Sequence, residues 1–164
     1  MNSSKMQLPE EKIFARMATL CAKRESCESE IRKKLDQYDL QEDAKKRIIT
    51  RLEKENYLDE RRYCRSFIHD KHQFNKWGRT KIEFALRQKQ IPLDIIVSAF
   101  SEFPASWFGE PLLELLQRKS KTIQAKNDFE KRTKLIRFAL GRGYTMNETL
   151  RCLDRLFEKT NFER

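Results

Sequence analysis

YLDERRYCRSFIHDKHQFNKWGRTKIEFALRQKQIP, Tyr57 to Pro92, is the stretch that decides the fold. It reads as one helix, a short break, a second helix and the approach to a third. Asp59 has the side chain to cap the first helix, which then turns Tyr63, Phe67 and Ile68 to one face. Trp77-Gly78 marks the break, because glycine permits turn geometry that other residues resist. The second helix buries Ile82, Ala85 and Leu86. Pro92 ends the unit, since a proline pushes the residue before it out of the helical region. The solvated faces are basic: residues 61–90 hold nine Lys/Arg against two acids, Asp70 and Glu83.

Working outward, the same pattern recurs. Residues 1–8 are polar, as in a frayed terminus. Pro9 followed by Glu10 and Glu11 suits a helix start, with Ile13, Phe14, Met17, Leu20 and Cys21 on one face and an end near Lys23-Arg24. Ser26 is the expected cap of the next helix, which buries Ile31 and Leu35. After a turn at Tyr38-Asp39-Leu40, a third helix carries Ala44, Ile48, Ile49 and Leu52 inward. The spacing Ile31, Leu35, Leu40 returns as Ile82, Leu86, Ile91, and more loosely as Ile136, Leu140 and then Tyr144. Amphipathic helices follow each, over 41–56, 93–103 and 146–159. Thr145 and Glu148 form a capping box at the start of the last, whose buried side is Leu150, Leu153, Leu156 and Phe157. Phe103-Pro104-Ala105 separates the second set from the third, whose first helix carries Leu112, Leu113, Leu115 and Leu116 after Pro111. The expectation is an all-α protein, a tandem array of three three-helix repeats over 9–58, 59–104 and 105–160. Short links between such small units predict a curved, elongated array.

Composition agrees. Charged residues make up 37 % of the 164 residues and hydrophobic ones 38 %, with four glycines and four prolines, and β-branched runs are missing. The net charge of +10 favours a polyanionic partner. That charge is clustered. Residues 61–90 carry +7 and residues 118–137 carry +6, leaving −3 for the remainder. Arg61, Arg65, Lys76, Arg79, Lys81, Arg87 and Lys89 are therefore the candidate main polyanion-facing surface. Lys119, Lys121, Lys131, Arg132, Lys134 and Arg137 are a second. Trp77 and Trp107 suit packing at helix junctions, their ordinary role, or stacking on bases. Trp77 is the better stacking candidate, with Lys76 and Arg79 close by in the sequence.

Other chemistry finds little support. His69 and His72, at i and i+3, could share a metal, but no cysteine pair or third histidine joins them, and two solvated histidines are the expectation. Gly141-Arg142-Gly143 lacks the closing Gly-Lys-Ser/Thr of a phosphate loop. No Ser/His/Asp set is suggested, so no catalytic residue, metal or cofactor is assigned, and the chain is not read as an enzyme. Cys21, Cys27, Cys64 and Cys152 have no C-x-x-C spacing and are read as free thiols. No run approaches a membrane span, and MNSSKMQLPEEK lacks the apolar core of a signal peptide, so the expected location is cytoplasmic.

YLDERRYCRSFI followed by KWGRTKIEFALRQKQI resembles the central signature of the RecX family, bacterial regulators of the RecA recombinase, whose members read YLDD-R-F and then G-G-RRI-EL--KGI. RESCESEIRKKL at 24–35 resembles the family's first-repeat R-S--EL--KL. FEKRTKLIRFALGRGYTMNETL resembles the K---FL--RGY end of its longer members. Two positions depart: Gln90 stands where the family has Gly, and Thr80 where it often has a basic residue. A non-glycine residue in a left-handed turn costs about 1 kcal/mol, so a turn of modified geometry is expected at Gln90. The resemblance implies a monomer of three-helix modules. Such a protein binds the RecA filament and contacts single- and double-stranded DNA without sequence preference. Its expected role, in DNA repair and recombination, is to inhibit RecA ATPase, recombinase and coprotease activities. The alternative is direct DNA binding of helix-turn-helix type, against which no helix presents Asn, Gln and Arg along one exposed face.

Overall fold

Pro9 cannot donate a backbone hydrogen bond and the acids after it favour a helix N-terminus, so the first helix begins where these residues place it. The computed structural model describes residues 4–162. Among them are nine α-helices, in order α1 Glu10–Lys23, α2 Glu28–Leu35, α3 Glu42–Lys54, α4 Glu60–Gln73, α5 Arg79–Gln88, α6 Leu93–Phe100, α7 Leu112–Thr122, α8 Asp128–Gly141 and α9 Met146–Phe162, with a 3-10 turn at Ala105–Gly109. The fold is all-α. Extended pairing among the described residues is limited to one bridge, Met6 with Tyr38. Met6 N–H donates to the Gln37 carbonyl at 3.0 Å, and Asp39 N–H to the Met6 carbonyl at 2.9 Å. The expected fraying therefore does not extend to Met6; residues 1–3 lie outside the described residues. By packing, the chain divides into two compact units, residues 1–67 with 86–100, and residues 68–85 with 101–164.

The first unit is built on α1, α2 and α3. Ile13, Phe14, Met17 and Cys21 meet Ile31, Leu35, Ile48, Ile49, Leu52 and Leu58 in one core. Leu20, expected on that face, is 39 % exposed, and Ala18 is buried instead. Arg47 grips Glu10 with two bonds of 3.0 and 3.1 Å. Arg51 reaches Glu11 at 2.7 Å and lies 3.7 Å from the Phe14 ring centroid. Exposed pairs like these contribute about 0–1 kcal/mol each, so they align α1 with α3 while the apolar core holds them. Ser26 does not cap α2. Cys27 takes the N-cap position without a side-chain bond, and the Ser26 hydroxyl turns back to the Arg24 carbonyl at 3.3 Å. Asp59 does cap α4, accepting from Arg62 N–H at 3.0 Å. Gln90 is left-handed, φ 61°, so a turn forms there without a glycine.

In the second unit, Leu112 and Leu116 of α7 pack with Leu135 and Ala139 of α8, Tyr144, and Leu153 of α9. The third repeat is thus in a different register from the expected one: Leu135 and Ala139 are fully buried, Ile136 is half-buried and Leu140 is 41 % exposed. The corrected triplet Leu135, Ala139, Tyr144 has the same spacing as Ile82, Leu86, Ile91 and Ile31, Leu35, Leu40. The leucines and isoleucine clustered around this helix hid the alanine that occupies the tight position. The capping box forms, with Thr145 N–H donating to Glu148 at 2.8 Å and Glu148 N–H to the Thr145 hydroxyl at 3.1 Å. Leu150 is 38 % exposed, and Thr149 is buried on the inner face instead, its hydroxyl donating to the Thr145 carbonyl.

The turn after α4 meets the turn after α8 backbone to backbone within this second unit. Gly78 N–H donates to the Arg142 carbonyl at 2.7 Å and Thr80 N–H to the Gly143 carbonyl at 3.1 Å. The Thr80 hydroxyl donates to that same carbonyl at 2.6 Å, and the Tyr144 hydroxyl to the Lys76 carbonyl at 2.8 Å. Gly78 is required by this approach and not by its own dihedral. The left-handed residue of the turn is Lys76, φ 57°, whereas a Cβ on Gly78 would penetrate the Gly143 carbonyl.

Two outcomes follow. Gly78→Ala should cost about 1–3 kcal/mol of stability in urea unfolding, as overpacking does. Gly141→Ala, where an added Cβ meets nothing within 4 Å, should be neutral or stabilising by up to about 1 kcal/mol. Glu60, in the first unit, gives the second. One of its carboxylate oxygens is buried without a partner. Burial, and then Glu28 and Glu53, push its carboxyl from 4.5 up to about 7. Between those values the folded protein holds a proton that the unfolded chain has released, so stability falls as pH rises from about 4.5 to about 7. Glu60→Gln should match the parent at about pH 4 and exceed it by roughly 1–2 kcal/mol at about pH 8, solvent screening included. Melting curves across that range would show the crossover, and parallel curves would contradict it.

Candidate nucleic-acid interface

Lysine and arginine place charge at the end of long stems, so their partners decide whether that charge faces outward. In the first unit, Arg61 is exposed and its guanidinium bonds to the Ser98 hydroxyl. Arg65 on α4 and Arg87 on α5 are exposed. Lys89 is half-buried with its ammonium 3.7 Å from Glu30.

The second unit holds the remaining candidates in two settings. Along α7 and α8 much of the charge is answered locally. Arg132 lies 3.2 Å from Asp154 and 5.1 Å from the Phe157 ring centroid. Lys134 pairs with Glu130 at 3.2 Å and donates to the Gln124 carbonyl at 2.6 Å. Lys119 sits 5.2 Å from the Phe138 ring centroid. Lys121 and Arg137 are exposed and Lys131 is half-buried. These basics were grouped by the net charge of residues 118–137, but Glu130 and Asp154 neutralise part of it.

The turn after α4 is different. Trp77 is half-buried, and two ammonium groups approach its ring: Lys81 at 4.5 Å and Lys71 at 4.9 Å from the centroid. A cation is drawn to an indole face by the ring quadrupole, by about 0.5–2 kcal/mol according to exposure. Arg142 reaches the same turn, donating to the Asn75 carbonyl at 3.3 Å. Lys76 is half-buried within the turn and Arg79 is exposed, its guanidinium 5.9 Å from the Phe108 ring centroid. Phe74, 74 % exposed, lies on the same turn. The contacts of Gly78 with residues 142 and 143 bring Arg142 to the turn that already carries Lys71 and Lys81. Sequence reading missed Lys71 and Arg142 as site residues. Lys71 lay inside the basic block and could have been found by its spacing, whereas Arg142 is joined to the turn only by the tertiary contact.

His72 corrects another expectation. It is 3 % exposed rather than solvated. Its Nδ1 is 2.9 Å from the Trp77 carbonyl and its Nε2 2.8 Å from the Trp107 carbonyl, with the Trp107 ring centroid 4.0 Å away. The ring braces the α4 turn against the 3-10 turn. His69 is exposed beside Asp70 at 3.1 Å. Trp107 packs at 5.0 Å against Phe103, a junction anchor. The four cysteines are free, and burial raises the Cys64 thiol to about 12, with Glu60 and Cys27 adding to it. Among the described residues, no helix is long and apolar enough to cross a membrane.

Residues 59–99 match the family model described as RecX, second three-helix domain, and residues 111–153 match RecX, third three-helix domain. The chain belongs to the RecX family. It is 33 % identical over 139 residues to the regulatory protein RecX of Clostridium acetobutylicum, covering 82 % of this chain and 64 % of that protein. It is 36 % identical over 93 residues to the regulatory protein RecX of Vibrio campbellii, covering 57 % and 58 % respectively. The chain thus spans less than two thirds of the length of these RecX relatives. The crystal structure of RecX from Lactobacillus salivarius superposes with a TM-score of 0.81 at 18 % identity, over 90 % of this chain and 96 % of that one. That likeness carries the RecX fold of tandem three-helix domains, and the sequence relatives carry the family.

Proposed function

We propose that this RecX-family protein is a regulator of the RecA recombinase that binds the RecA–DNA filament and lowers RecA ATPase, recombinase and coprotease activities. The observation that carries the reading is the match to two successive RecX domains, on a chain whose positive charge gathers on those same domains. Its units, over 9–58, 59–104 and 105–160, act as serial modules of a monomer. The candidate cations in both compact units meet phosphates of single- or double-stranded DNA without reading sequence, since contacts to phosphate position a protein but carry no base information. The protein works by occupying the filament, in the cytoplasm, and not by catalysis. Direct measurement is RecA ATPase on single-stranded DNA with this protein added below stoichiometry. The expected result is a fall in rate that a Lys121→Ala/Arg137→Ala variant, at two exposed candidate cations, relieves in part while its melting temperature holds, because exposed charges add little stability. A rate unchanged up to equimolar protein would contradict the reading.

A further inference from the structure

We infer that the groove between α1 and the end of α2 docks a short segment of a partner protein, one that carries an apolar side chain flanked by acids. The inference goes beyond the proposed function. It concerns the first unit, in a part of the chain that lies before the two matched RecX domains. The apolar lining is Ala15, Met17, Leu20 and Tyr38, and the charged lining is Arg16 and Lys34. The groove holds about 470 Å³, within the roughly 300–1,000 Å³ of ordinary ligand sites. Leu20 is 39 % exposed there, while its helix neighbours Met17 and Cys21 are buried in the core.

Charge selects the occupant. Residues 9–58 hold twelve Lys/Arg against eleven Asp/Glu, so this part of the chain is close to neutral. Many of its cations are answered by carboxylates: Arg47 by Glu10, Arg51 by Glu11, Arg32 by Glu42 and Lys45 by Asp36. The groove differs. No carboxylate lines it, and neither Arg16 nor Lys34 makes an ion pair among the described residues. Arg16 donates to the Tyr38 hydroxyl at 3.3 Å, which orients the guanidinium without a carboxylate to cancel its charge. A nucleic-acid backbone would meet the two cations and leave the apolar lining wet. A leucine or phenylalanine between acids satisfies both.

The test titrates the full isotope-labelled chain with the synthetic peptide acetyl-Gly-Asp-Glu-Leu-Phe-Glu-Asp-Gly-amide and follows backbone amide shifts. The amides of Arg16, Leu20 and Gln37 should shift and saturate below about 1 mM peptide. A peptide with lysine in place of every acid should bind roughly tenfold or more weakly, as should one with serine in place of Leu and Phe. Lys34→Glu, at an exposed residue, should weaken binding roughly threefold or more with the melting temperature held. Leu20→Ser should weaken it roughly tenfold. No saturable shift by about 1 mM peptide, equal affinity for the lysine peptide, or unchanged affinity in either variant overturns the site. Shifts of these amides by an oligothymidine strand and not by the peptide would assign the groove to nucleic acid. Shifts on concentrating the protein alone would assign it to a second copy, and either result overturns the inference. The titration contains no RecA, so its outcome is separable from the ATPase result.

Discussion

The contact between the Gly78 and Gly143 backbones is the constraint on which the candidate surface depends. A Cβ on Gly78 would meet the Gly143 carbonyl at 2.4 Å and one on Gly143 would meet the Lys81 Cβ at 2.4 Å, and Gly143 is also left-handed, φ 93°, so the approach requires glycine at both positions. The hydrogen bonds from Gly78 and Thr80 then use donors at the start of α5 that an isolated helix would leave unpaired. Tyr144 adds a bond from its buried ring to the Lys76 carbonyl, at the one residue of that turn in the left-handed conformation. His72 closes the other side by bridging the Trp77 and Trp107 carbonyls. A basic turn that would otherwise be an exposed loop is thereby fixed at several points, and its lysines are presented from a rigid base.

Charge acquires meaning only through this geometry. Residues 118–137 and 61–90 carry similar net charge, yet Arg132 and Lys134 on α8 face Asp154 and Glu130 across short distances. Beside Trp77 the Lys81 ammonium lies 4.5 Å from the indole centroid and makes no ion pair among the described residues. A ring attracts a cation without cancelling its charge, so Lys81 keeps its charge where Arg132 and Lys134 share theirs with a carboxylate.

Much of the fold was legible because it is written locally. The Asp59 cap, the Thr145–Glu148 box, the α3 face and, apart from Leu20, the α1 face depend on residues within a turn or two of each other. So does the end of α1 at Lys23. Where reading failed, the deciding atoms were far apart in sequence. The third repeat was placed one residue late because Leu135, Ile136 and Leu140 are all apolar and only packing against α7 and α9 selects Leu135 and Ala139. Ser26 looked like a cap by composition, but the chain enters α2 at Cys27. His72 looked solvated because its partners are the carbonyls of Trp77 and Trp107. Gly78 was singled out correctly for the wrong reason, its cause lying at Gly143. The basic residues were legible as a composition, with Lys76, Arg79 and Lys81 near Trp77 among them, whereas Arg142 was not, because it reaches that turn only through a long-range contact.

Native-state hydrogen exchange at the Gly78 and Thr80 amides tests this account most directly. If the turn is fixed by the 142–144 backbone, both amides should exchange only when the second unit unfolds, as slowly as those of Leu116 and Leu153 in its core. Exchange of Gly78 and Thr80 at the rate of an open loop, with Leu116 and Leu153 still protected, would contradict it.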